Sequence, residues 1–167
     1  MKKIAIPILI LAITLTTVAC VTQSVLATLI TTLGNASASI AALEGNATLA
    51  TTLKADTAAA SSAVLNWQKG SASTMVIEAL NIVEADLNLI PYVAPYSALI
   101  DIGIATVDEI ITIVTKAAPP AASSMKSITP GRHVKLTGKV PHNRKHFVST
   151  WNTVAASDPK LTTLVIK

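Results

Sequence analysis

The sequence predicts an all-α protein: an antiparallel bundle of about four helices, followed by a linker and a small basic C-terminal region with one helix. Three observations lead there. Apolar residues recur every three or four positions from about residue 21 to 116, which is the spacing of a helix face and not the alternation of a strand. Gly and Pro punctuate the chain mostly between these periodic stretches, where they act as stops and turns. Hydrophobic residues make up 51% of the 167 residues and charged residues 13%, so the chain can enclose a core. That core is built from small side chains, because 27 residues are Ala and 21 are Thr. Thr and Ile favour strands, but sustained alternation is absent.

The first helix is expected over 21–44, with Leu26, Leu29, Leu33, Ala36, Ile40 and Leu43 on one face. Gly34 is expected to weaken or kink its middle. Gly45-Asn46 reads as a stop and restart: Gly suits the C-terminal turn, and Asn suits the next N-cap. The second helix covers 47–67, with Leu49, Leu53, Thr57, Ala60, Val64 and Trp67 on its apolar side. Residues 69–73 read as a loop. The third helix covers 75–90 through Val76, Leu80, Val83, Leu87 and Ile90, with Ser73 or Thr74 as its cap. Pro91 ends it, and Pro95 is expected in the first turn of the fourth helix. Residues 96–116 are apolar nearly all round, apart from a stripe of Asp101, Ala105, Asp108 and Thr112 with Glu109 beside it. A helix of this kind belongs at the centre of a bundle or in a membrane. Its three acids each cost a few kcal/mol near mid-bilayer, so it is read as the central helix of the bundle.

Composition changes after Lys116. Ala117 to Ser124, with Pro119-Pro120, forms a linker, and Val134 to Gly138 reads as a short strand or extended arm. A last helix is expected over 142–156, with Phe147, Trp151 and Val154 on one side and an apolar tail after it. The domain division is therefore 1–19, 20–116, 117–141 and 142–167.

The first segment has a chemistry of its own. Lys2-Lys3 precede an apolar run from Ile4 to Leu15, and small residues then lead to Val18-Ala19-Cys20. A positive start, a short apolar run and small residues at its end make a secretory signal peptide. The run is shorter than the roughly 20 residues of a membrane span. Val18-Ala19-Cys20 resembles the lipobox of bacterial lipoproteins, although Thr17 stands where Leu is commonest in that family. The resemblance covers residues 1–20 only. It implies that Cys20 is acylated, becomes the first mature residue and attaches the protein to a membrane. Val21 in place of Asp after the cysteine implies the outer membrane where the host has two. The single cysteine excludes a disulfide scaffold, and acylation would give an otherwise partnerless thiol a use.

The formal charge of +4 is a sum of opposite halves. Residues 20–115 carry two Lys and eight acids, and residues 116–167 carry seven Lys, two Arg and one Asp. The halves are therefore −6 and +8, and Lys2 and Lys3 complete the total. Such a split suits contact between the basic region and an acidic partner, another copy of the chain, its own bundle, or an anionic surface of lipid headgroups or cell-surface polymers. Arg132, Lys135, Lys139, Arg144 and Lys145 are the candidates for that contact. Nucleic acid is not expected as a partner, because aromatic residues are too sparse around the cations and no recognition motif is present.

Catalytic chemistry finds little foothold. His142 and His146 share a helix face at metal-ligand spacing, but His133 is the nearest third ligand and no carboxylate stands among them. Asp101 and Asp108 are two helical turns apart, too far to act on one bond, and a surface stripe, or pairing with Lys54 or the basic tail, is the simpler reading. Neither a Gly-x-Ser-x-Gly elbow nor a phosphate-binding Gly loop occurs. The sequence therefore predicts an exported, non-enzymatic envelope protein attached through Cys20, with a binding or structural role. It predicts no cofactor, metal or small-molecule substrate. The alternative is a membrane-active protein, a pore-former or a phage lysis or exclusion factor, that inserts the hairpin 75–116.

Overall fold

A computed structural model describes residues 22–68, 73–117 and 141–167. Helices account for 82% of them, and no strand occurs among them. In chain order the helices are α1 (Gln23–Leu43), α2 (Ala47–Asn66), α3 (Thr74–Leu89), α4 (Ser97–Ala117) and α5 (Arg144–Ser157). A 3-10 helix, Pro159–Leu164, closes the chain. The expected extended arm at 134–138 lies outside the described residues.

Local chemistry sets the helix ends. The Thr22 hydroxyl accepts from the Val25 amide at 3.3 Å and starts α1. At its other end Gly45 takes φ +78°, a left-handed conformation that only a residue without Cβ adopts cheaply. This lets the Asn46 amide reach the Ala41 carbonyl at 2.9 Å and the Gly45 amide reach Ala42 at 3.0 Å. Both orphan carbonyls are thereby satisfied in a Schellman turn. Asn46 then caps α2 by accepting from the Leu49 amide at 2.9 Å. Ser73 stands at the N-cap of α3, but its side chain makes no capping bond. Pro95 lies in the turn before α4, not within its first turn. There the Tyr96 carbonyl accepts from the Leu99 and Ile100 amides.

The strand preference of Thr is offset by its hydroxyl. Thr28, Thr32, Thr51, Thr57, Thr106 and Thr153 each donate to the carbonyl four residues earlier, at 2.6–3.0 Å. The bond keeps the buried hydroxyls of Thr57 and Thr106 satisfied inside a helix.

The helices pack antiparallel in sequence. The Ser61 hydroxyl of α2 reaches back to the Ala27 carbonyl of α1 at 3.2 Å, and Gly34 of α1 meets Thr57 of α2. A Cβ at Gly34 would lie 2.6 Å from the Thr57 Cβ. Gly34 therefore marks a close backbone approach, and α1 runs through it without a break. On the next pairs, Tyr92 donates to Asp101 at 2.7 Å across the α3–α4 turn. A Cβ at Gly103 of α4 would touch Leu33 of α1 and Leu87 of α3 at 3.6 Å each.

The centre of the bundle is α1, not α4. α1 packs against α2, α4, α5 and the 3-10 helix, whereas α4 packs against α3, α5 and α1. Leu29, Ile30, Leu33 and Ile40 are fully buried along it. α5 seals the α1–α4 groove with Phe147 and Trp151, both fully buried and with ring centres 5.5 Å apart. The third buried residue of that face is Ala155, and Val154 is only partly buried. The Trp151 indole donates to the Leu164 carbonyl at 2.9 Å. The Asn152 amide clamps Ile166 by two bonds of 2.8 Å, so the C-terminal segment is held to α5.

Gly34→Ala is expected to lower stability by about 1–3 kcal/mol through overpacking. This outweighs the gain of about 1 kcal/mol in helix propensity. Thr57→Ala in the same chain restores part of the loss, as read by urea unfolding.

Candidate functional site

The residues singled out for function fall into three places. Cys20, Arg132, Lys135 and Lys139 lie outside the described residues. Arg144 and Lys145 occupy the first two positions of α5, and both are exposed. Asn143 caps that helix by accepting from the His146 amide at 2.9 Å. Cations at a helix N-terminus oppose the macrodipole, so local stability does not explain these two side chains.

Arg144 borders an open groove of about 270 Å³. One wall is the polar stripe of α1: Thr32, Asn35 and Ser39. The opposite wall is the segment 163–166, held in place by Trp151 and Asn152. The groove therefore owes its shape to the docking of α5, and Arg144 lines it together with the polar residues Thr32, Asn35 and Ser39.

His142 precedes the cap of α5, so the two histidines do not share a helix face. Their rings nonetheless sit 5.6 Å apart at 51°. Among the described residues, no three His, Cys, Asp or Glu side chains are placed to hold a metal. Asp101 pairs with the Tyr92 hydroxyl and not with Lys54. Asp101 and Asp108 stay two turns, about 10 Å, apart along α4.

The carboxyl pair that the structure does assemble is a different one. Asp86 of α3 is only 8% exposed and meets Asp56 of α2. Burial pushes the Asp86 carboxyl from its ordinary 3.8 up to about 6, and the hydrogen bond and charge of Asp56 push in the same direction. The protonated form is the one that can donate to Asp56. The other oxygen, Oδ2, is buried and has no hydrogen-bond partner. Nothing local in the sequence signals this pair: the two residues are thirty positions apart, and only the register of α2 against α3 brings them together.

The chain matches no protein-family model, no curated protein and no solved structure.

Two outcomes follow from this geometry. Asp86 keeps its proton to higher pH in the folded chain than in the unfolded one, so its contribution is full below about pH 4 and is lost as pH rises through about 6,. Asp86→Asn should therefore stabilise the protein by about 1–3 kcal/mol at pH 7.5 and leave it nearly unchanged at pH 4, as measured by urea unfolding at both pH values. Replacing Arg144 or Lys145 by Glu should add about 0.3–1 kcal/mol each at low salt, because the helix N-terminus then faces an anion. That gain should shrink in 1 M salt.

Proposed function

We propose that this protein is a lipid-anchored component of a bacterial cell envelope, with Cys20 as the acylated residue and a helical body that binds or supports a partner without catalysis. The observation that carries this reading is the position of Cys20 relative to the fold. Thr22, two residues after Cys20, already caps α1, so cleavage before Cys20 removes nothing from the described bundle. The remaining tether spans at most about 7 Å, which sets the start of α1 close to the membrane surface.

The burial of α1 supports attachment through the cysteine and not through a spanning helix. Among the described residues, α1 alone is long and apolar enough to cross a bilayer, and 67% of that apolar window is buried in the bundle. Acyl chains supply the attachment instead, at about 0.8 kcal/mol per buried methylene. Outer-membrane placement in a host with two membranes follows from Val21. The exposed cations Arg144 and Lys145 support contact with an acidic partner,.

Growth with a labelled fatty acid tests the anchor. The native chain is expected to take up label and to enter the detergent phase, and Cys20→Ala is expected to do neither. Label persisting in Cys20→Ala would overturn the reading.

A further inference from the structure

We propose that the end of the bundle nearest Cys20 rests on the lipid surface, and that Leu65 and Met75 insert into its interfacial layer. The inference rests on the acylation of Cys20 proposed above and extends it from a tether to an oriented docking surface. Four features place the same end of the bundle together. α1 begins at Gln23, three residues after Cys20. Ser61 of α2 bonds to Ala27 of α1, so Leu65, one turn further along α2, stands level with the first turn of α1. Seven residues connect α2 to α3, which pack side by side and therefore run antiparallel, and the Asp56–Asp86 contact marks their register. Leu65 and Met75 thus lie about 14 Å and about 17 Å from that pair, both toward the Cys20 end. α4 runs back beside α3 and brings Lys116, exposed in its last turn, to this end as well.

The side chains at this end suit a headgroup layer. Leu65 is 53% exposed and Met75 78%, and Val25 is exposed in the first turn of α1. Lys116 adds a cation that an anionic headgroup attracts. The nearest acid on α3, Glu78, lies one turn further from the end. The opposite end also exposes Leu43 and Leu89, but it is about 30 Å away along α1, and Glu44 and Asp101 are at that end. A bundle standing upright on a tether of two residues holds that end about 30 Å from the bilayer.

The experiment uses the full chain, expressed with its leader and reconstituted in vesicles of anionic phospholipid that contain brominated acyl chains. Acylated Cys20 has no free thiol, so Leu65→Cys, Met75→Cys, Leu43→Cys and Leu89→Cys each offer one site for a fluorophore. Intact mass reports acylation of Cys20 on the same samples. The expected result is at least two-fold quenching at positions 65 and 75, and none at 43 and 89. With Cys20 acylated, equal quenching at all four positions, quenching at none, or burial of 65 and 75 in a dimer would overturn the docking surface and leave the anchor standing. With Cys20 unacylated, the anchor reading fails. The four cysteine variants are then made in Cys20→Ser, which restores a single labelling site: quenching confined to 65 and 75 after vesicles are added would retain the surface, and its absence would overturn it.

Discussion

The close approach of α1 and α2 is the constraint on which the rest of the bundle depends. Gly34 admits the Thr57 side chain where any Cβ would collide with it, and the Ser61 hydroxyl can then reach the Ala27 carbonyl. Helices this near each other need small residues at the contact, and Ala27, Gly34, Thr57 and Ser61 supply them. Ala27, Ala38, Ala41, Ala50 and Ala60 are all buried. The threonines tolerate helical burial because their hydroxyls bond back to the preceding turn,. The larger side chains of α1, such as Leu29, Ile30 and Leu33, are left for the rest of the core. α1 therefore becomes the central helix by having both a small face and a large one.

The second large contribution comes from α5. Phe147 and Trp151 carry most of the aromatic volume of the described core, and they fill the groove between α1 and α4. Apolar packing, with one indole hydrogen bond and the Asn152 clamp, holds the basic C-terminal region against the acidic body. Among the described residues of that region, Arg144, Lys145, Lys160 and Lys167 are exposed. Arg144 and Lys145 sit where the helix field disfavours them, beside a groove whose far wall exists only because the tail is pinned. A sequence that breaks a local rule at exposed positions directs attention to those positions as contact sites.

The candidate sites were legible to different degrees, and the reason is physical in each case. The proposed attachment at Cys20 is legible because an export signal is read linearly, so it lies in consecutive residues. The clamp of Asn152 on Ile166 spans fourteen residues and leaves no motif. The Asp56–Asp86 pair is invisible because two amphipathic helices can pair in several registers, and only one of them stacks these carboxyls. The histidine pair was readable as a spacing, but not as a geometry: Asn143 starts α5 after His142, so the two imidazoles meet across a cap.

By itself, the sequence determined the helical class, four bundle helices and a C-terminal one, and their ends to within two or three residues. Apolar spacing, Gly45-Asn46 and the prolines are local signals, and helix formation is governed mostly by local geometry. It also carried the acid–base division of the chain, which is a matter of counting. The tertiary structure alone decided that Gly34 is a contact, that α1 and not α4 is central, and which acids become neighbours. Those outcomes depend on which faces meet and how near the backbones come, and both are set by packing between residues far apart in the chain.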